Sequence, residues 1–196
     1  IFKKQKEPVI GHDTKRNKFL CPSILKFKKN LYRLYFSEDK KNFNKKNRTV
    51  IRSAVSRDLS TWSVEKGKRI NFLNDIRYQR ILSPNVIKIS KSLFRMYFEA
   101  RTYSNKGFIK SAISKDGLKW KEESGIRIGS NDNYSYGTPF CLFKSKNNFE
   151  LFFELRKKKT RDIWSIKSND GLNFNKKKSI RTIKQDYDWE AYSVNS

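Results

Sequence analysis

The sequence predicts an all-β fold, a β-propeller built from four-stranded antiparallel blades, and three observations carry that prediction. The first is a set of landmarks that occurs three times in the same order. A residue followed by Pro opens an apolar run at Cys21-Pro22-Ser23-Ile24, Ser83-Pro84-Asn85-Val86 and Thr138-Pro139-Phe140-Cys141. An aromatic strand then closes on a polar residue fifteen places after each Pro, at Ser37, Glu99 and Glu154 (37−22, 99−84, 154−139). Last comes a hairpin that places Asp four residues before an aromatic: Asp58 and Trp62, Asp116 and Trp120, Asp170 and Phe174. The second observation is the repeat length of 62 and then 55 residues (84−22, 139−84), a period that belongs to blades of several short strands rather than to helical solenoids. The third is that no stretch keeps a convincing helical period, whereas the strand and loop lengths suit antiparallel sheets.

The elements follow in order. Glu7-Pro8-Val9-Ile10 reads as the last strand of a preceding blade, and Gly11-His12-Asp13-Thr14 as a loop. The first full blade takes strands over 23–27, 31–36, 49–56 and 62–65, with a long polar loop after Ser37. Its second strand, rich in aromatic residues, fits a pleated, half-buried surface. The second blade takes 86–89, 93–99, 108–114 and 119–123, and Asp116-Gly117 marks its tight turn because Gly supplies the positive φ required there. The third takes 140–144, 149–154, 163–167 and 174–177, with Asp170-Gly171 at the same turn. Each hairpin Asp is expected to accept backbone N–H groups across its own turn, a structural role.

Repeats of approximately 21–70, 83–128 and 138–183, with the start of a further blade over 184–196, give about three and a half blades. Closed propellers need about four to eight. The 196 residues are therefore read as a single β-propeller domain that is incomplete, a piece of a longer protein that opens on Ile1 without Met.

Composition narrows the function. The net charge of +26 raises the question of nucleic acid. Lysines are spread through every loop alongside abundant Asn, Ile and Phe, as codon bias toward A and T produces, and are not gathered as a groove reader gathers them, so a nucleic-acid partner is not expected. The runs at 157–159 and 176–178 are read as solvated hairpin tips. Cys21 and Cys141 form neither a disulfide framework nor a zinc pattern, and with His12 the only histidine there is no triad and no multi-histidine metal site. No metal or cofactor is expected. No run approaches the ~20 apolar residues of a membrane span.

Taken together, the Pro-led inner strand, the strand Leu93-Phe94-Arg95-Met96-Tyr97-Phe98 and the hairpin Ser111-Ala112-Ile113-Ser114-Lys115-Asp116-Gly117 with Trp120 resemble the five-bladed β-propeller glycosidases, the group of arabinanases, β-xylosidases, invertases, levansucrases and mannoside phosphorylases. The resemblance covers nearly the whole chain. It implies a carbohydrate substrate and the cleavage or transfer of glycosyl groups in a funnel at one end of the propeller axis, by carboxylates from different blades.

In such a propeller the loops entering the inner strands and those leaving the second strands open on the same axial face. The entering loops offer Asp13 and Asp75, each nine residues before its Pro (22−13, 84−75), then Asp132, Asp186, Asp188 and Glu190. The leaving loops offer Glu99 with Arg101 and Glu154 with Arg156, a repeated Glu-x-Arg whose alternation puts both side chains of a pair on one side of a strand. Glycoside hydrolysis asks for one protonated and one ionised carboxylate. Glu99 and Glu154 are the best matched pair, with Asp75 and Asp13 on the rim; the alternative is that each Glu makes a structural ion pair with its Arg. Arg101, Arg156 and Glu190 are candidate polar contacts to a sugar. Tyr78, Tyr134, Tyr136, Tyr187 and Trp189 are candidate stacking platforms, with packing of a blade junction as the alternative for Trp189.

One departure stands out. These glycosidases carry a catalytic Asp directly before the Pro of an early blade, and here those positions are Cys21, Ser83 and Thr138. A glycosidase with its Asp in another blade and a propeller that binds a glycan or an acidic partner without cleaving it both remain open.

Overall fold

The computed structural model describes residues 8–10, 17–40, 49–70, 78–129, 134–157 and 160–184. The first blade runs β1 (Asn17–Lys28), β2 (Leu31–Lys40), β3 (Thr49–Ser56) and β4 (Ser63–Val64), each antiparallel to the one before. The second repeats it as β5 (Tyr78–Ser90), β6 (Leu93–Thr102), β7 (Gly107–Ser114) and β8 (Lys121–Glu122). The third is β9 (Ser135–Ser145), β10 (Asn148–Arg156), β11 (Arg161–Ser168) and β12 (Ile180–Ile183). A single parallel bridge, Thr49 to Arg80, links the first two blades. These are blades of a β-propeller. The only helical element among the described residues is the 3-10 turn Lys176–Lys178.

The strand boundaries differ from the sequence expectation where the Pro residues stand. Each inner strand begins several residues before its Pro, so Tyr78 and Tyr136 lie in strands rather than in entering loops. Cys21, Ser83 and Thr138 have φ of +53°, +51° and +48°, and the ladder shifts register around each of them. A bulge of this kind accommodates the Pro, which has no N–H to give to a ladder, and bends the strand without ending it. Likewise β2, β6 and β10 run on to Lys40, Thr102 and Arg156. Two further expectations are corrected. Residues 8–10 form a bend rather than a strand, with Ile10 packed on Phe36 and Leu34 in a small core. The fourth strand of the third blade is not 174–177: Asn175 caps the 3-10 turn there, and the strand follows at Ile180–Ile183.

The core lies between blades, where facing sheets interdigitate. Tyr35 and Ile51 meet Ile81, Val86, Phe94 and Met96 at the first junction; Ile87, Tyr97 and Ile109 meet Cys141, Leu151, Phe153 and Ile166 at the second. The inner strands also touch directly. Ser23 Oγ accepts the Val86 N–H at 3.3 Å, and Asn85 Oδ1 accepts the Cys141 N–H at 2.9 Å.

A latch repeats at both junctions. Arg33 Nη1 donates to the Asp116 carbonyl and Tyr35 Oη to the Gly117 carbonyl, each at 3.0 Å. In the next blade Arg95 Nη1 donates to Asp170 O and Tyr97 Oη to Gly171 O, both at 2.7 Å. Each arginine is fixed by a two-pronged pair within its own blade, Glu65 for Arg33 and Glu123 for Arg95, and each Glu accepts a further bond from Ser53 or Ser111. Burial pushes the Tyr35 phenol up to about 12 and Tyr97 in the same direction, so both remain neutral donors. The gripped turns need Gly117 and Gly171, at φ +69° and +68°, because a Cβ at either would strike the arginine and the tyrosine hydroxyl. The turns themselves are held as expected: Asp116 Oδ1 accepts the N–H groups of Leu118 and Lys119 at 2.8 Å, and Asp58 and Asp170 do likewise for their neighbours.

Candidate functional site

At the opposite ends of the second strands the two Glu-x-Arg pairs come together. Alternation along β6 puts Glu99 and Arg101 on one side, and β10 does the same for Glu154 and Arg156. Glu99 Oε1 accepts from Arg101 Nε at 2.8 Å, Arg101 Nη2 at 2.5 Å and Arg156 Nη1 at 2.7 Å. Its Oε2 accepts from Arg156 Nη2 at 3.1 Å and from the Thr138 N–H at 3.4 Å. Arg156 also reaches its own Glu154, whose Oε2 accepts from Arg156 Nε at 2.9 Å, Arg156 Nη2 at 2.6 Å and Thr138 Oγ1 at 2.8 Å. One guanidinium thus bridges two carboxylates from adjacent blades. Glu154 Oε1 is different: it is buried, takes no hydrogen bond, and has Arg161 Nη1 at 3.6 Å as an ion-pair neighbour.

Both carboxylates are enclosed, Glu99 at 1% and Glu154 at 3% exposure. Burial pushes the Glu99 carboxyl up, but Arg156 and then Arg101 outweigh it and hold the group below the usual carboxylate range. For Arg156, burial favours loss of the proton, and the Glu99 and Glu154 charges reverse the effect, so the guanidinium is held more firmly protonated than usual. Room for this pairing comes from two glycines. A Cβ on Gly137 would strike Glu99 Oε2 and both terminal nitrogens of Arg156, and one on Gly107 would strike the Tyr136 carbonyl.

This arrangement fits the ion-pair alternative for Glu99. The carboxylate accepts five hydrogen bonds, and Arg156 and Arg101 favour its ionised form. At the edge of the cluster Arg101 is partly exposed and donates from Nη1 to Asn105.

The other candidates separate cleanly. Tyr136 is fully buried, packed on Phe153 with the Lys176 ammonium 4.8 Å over its ring, so it presents no stacking face to a sugar. Tyr78 is likewise a core residue, whereas Tyr134 is exposed, with Lys157 near its ring. Asp13, Asp75, Trp189 and Glu190 lie outside the described residues, as do Asp132, Asp186, Asp188, Tyr187 and His12. The sequence reading named Thr138 only as a pre-Pro position and missed that it serves both glutamates, and it missed Gly107 and Gly137. The available signal was the Gly-Thr-Pro run, small residues grouped where buried charges must pass close to backbone.

Among the described residues, a cavity of about 510 Å³ lies at the turn end of the second blade, between Leu93, Asp116 and Trp120, with no residue of this cluster in its lining. Among the described residues no group of three His, Cys, Asp or Glu is placed to hold a metal, and no helix is long and apolar enough to cross a membrane.

No family model and no curated protein matches the sequence. Solved structures do match the fold. The chain is similar to a thermostable family-43 glycoside hydrolase at 17% identity and a TM-score of 0.68, over 89% of this chain and 55% of that one. It is similar to a family 117 glycoside hydrolase of the marine bacterium Zobellia galactanivorans at 13% identity and a TM-score of 0.65, over 82% and 56%. It is also similar to a family 32 β-fructofuranosidase of Bombyx mori at 13% identity and a TM-score of 0.68, over 83% and 37%. The chain thus spans between about a third and just over half the length of these structures.

Proposed function

Starting from the propeller fold shared with these glycoside hydrolases, we propose that the protein is carbohydrate-active, with its saccharide site at the axial end where β6 and β10 finish. The observation that supports this reading is the Glu99–Arg156–Glu154 bridge, which joins carboxylates and guanidiniums of two blades at the ends of β6 and β10. Sugar hydroxyls seek fixed donors and acceptors of this kind, and Arg101 stands at its outer edge.

Action on a glycosidic bond requires an acid that can be protonated. Glu99 orients Arg101 and Arg156 in this proposal, and the acid–base work falls to Glu154 with Asp75 and Asp13. Saccharide binding without cleavage is the second reading, favoured by the ionised, saturated state of Glu99. Titration of the full-length protein with a panel of oligosaccharides, followed through the side-chain N–H resonances of Arg101 and Arg156, tests the site; the expected result is a saturable shift with at least one sugar. No shift with any sugar defeats the proposal. Release of reducing ends in the same samples then separates cleavage from binding.

A further inference from the structure

We propose that the groove at the turn end of the second blade is a second saccharide site, which takes an oligosaccharide carrying an anionic group, a uronate or a sulfate ester, on one of its sugars. Strand register builds the groove. Ile113 is paired with Lys121 on β8 and with Arg95 on β6, so these side chains stand on one side of the sheet, and alternation adds Leu93 and Lys115. Leu93, Ile113 and Trp120 line a cavity of about 510 Å³, with Lys115, Lys119 and Lys121 exposed around it. Trp120 is a fixed wall: its Nε1 donates to the Gly117 carbonyl at 3.0 Å, and its ring stands edge-on to Tyr35 with centroids 5.8 Å apart. A sugar presents an apolar ring face to such a lining and its polar groups to the rim. Leu93 lies six residues before Glu99 on β6 (99−93), about 20 Å of extended strand, so the groove is separate from the axial cluster.

Charge selects the ligand. Asp116 is the one carboxylate in the lining, and its Oδ1 is committed to its own turn by the N–H groups of Leu118 and Lys119 and the Ser114 hydroxyl. Three ammonium groups against one carboxylate leave a net charge of +2 (3−1). The equivalent groove of the first blade, of about 440 Å³, has Arg57, Thr61 and Ser63 at the three lysine positions, so with Asp58 its charges cancel. Of these two grooves the second blade's alone has a cationic rim.

What adjoins the groove confines the negative charge to one sugar. A cavity of about 460 Å³ shares Ile113 and Lys121 with it and continues toward Leu172 of the third blade, past Glu122 and Glu123. Glu123 is held by Arg95 and Ser111, and Glu122 by Lys110. These acids accept from neutral hydroxyls and repel a second anion, which disfavours a nucleic-acid strand with its phosphate at every unit. The choice of a sugar over an acidic peptide rests on the carbohydrate-active reading above; the place of the site does not.

A titration of the full-length protein, read at the Trp120 indole N–H resonance, tests the assignment. Cellobiouronate and a cellobiose sulfate ester are compared with neutral cellobiose, a short oligothymidylate and N-acetylglutamyl-leucine amide. At least one acidic disaccharide is expected to bind saturably and at least about 10-fold more tightly than cellobiose, and which of them does so tells carboxylate from sulfate recognition. Lys115→Glu, Lys119→Glu and Lys121→Glu combined should weaken that binding at least about 10-fold. Lys18→Glu, Lys146→Glu and Lys178→Glu combined lose the same net charge at exposed lysines that line neither cavity, and should leave affinity within about 2-fold. Equal binding of cellobiose and the acidic disaccharides, equal losses in the two triple variants, or tighter binding of the nucleotide or the peptide overturns the proposal. The Arg101 and Arg156 resonances report the axial site in the same titration. A response there with none at Trp120 overturns this inference and leaves the axial reading standing; no response at either overturns both.

Discussion

The two ends of β6 are built to different rules. At the turn end Arg95 and Tyr97 hold the next blade by its carbonyl groups, and β2 repeats the device with Arg33 and Tyr35. At the axial end β6 contributes Glu99 to a buried, salt-bridged cluster, whereas the equivalent position of β2 is Ser37, which accepts one backbone N–H, and the ion pair between these blades, Asp39 with Arg80, comes two residues further along. A feature present at both junctions is scaffold. A feature present at one is specialised, and it costs more: a buried ion pair must offset the desolvation of every charge in it, which a hydroxyl does not face.

Cutting both axial positions gives the largest expected difference. Glu99→Leu leaves Arg156 and Arg101 without their shared acceptor and should destabilise by about 3–5 kcal/mol, the range for removing one partner of a buried pair. Ser37→Ala should cost about 1 kcal/mol, one hydrogen bond. Urea denaturation of the two variants checks this, and equal losses would erase the distinction between the junctions.

The turn end supplies a contrast of intermediate size. Gly171→Ala places a Cβ against Arg95 and Tyr97 at φ +68° and should destabilise by about 1–3 kcal/mol. The equivalent residue of the first blade is Leu59, at φ +64° and exposed, with no described neighbour gripping its turn. Leu59→Gly should therefore lie within about 1 kcal/mol of neutral, since relief of backbone strain and greater freedom of the unfolded chain oppose each other. Thermal melts of both variants decide whether it is the grip or the turn conformation that demands glycine.

The smallest effect is in the pH dependence. The Glu99 carboxyl is depressed in the folded state below its ordinary value of 4.5. Its contribution is thus fully present above about pH 4.5 and is lost as pH falls through the lower folded value. The acid limb of the stability profile should flatten in Glu99→Gln and keep its slope in Ser37→Ala. A Glu99→Gln profile that parallels the parent protein would remove this carboxylate from the acid response.

Much of the scaffold could be read from residues alone, because its determinants are local. The Asp-to-aromatic spacing gave the turns, the Pro spacing the repeat, and Glu-x-Arg the pairing of side chains on one side of a strand. Other features depend on contacts between blades. Arg33-Leu34-Tyr35 and Arg95-Met96-Tyr97 repeat visibly, but their partners are carbonyl oxygens 74 to 83 residues away, which carry no side-chain signature. Pro22, Pro84 and Pro139 read as strand starts because Pro lacks a donor, yet a left-handed residue ahead of each lets the strand continue through a bulge. Tyr136 looked available because it stands just ahead of Pro139, where an entering loop was expected. It is buried because β9 begins one residue earlier and turns its ring onto Phe153.

Those left-handed residues have a consequence for how chemistry could be won or lost on this scaffold. Among residues other than Gly, Asn and Asp occupy positive φ most readily, and a β-branched side chain such as that of Thr138 is the least at ease there. An Asp in place of Ser83 would meet a backbone already shaped for it, whereas at Thr138 it would lose the hydroxyl that donates to Glu154 and set a third carboxylate beside two buried ones. Gain of an acid at the head of an inner strand is thus a lighter change for the second blade than for the third.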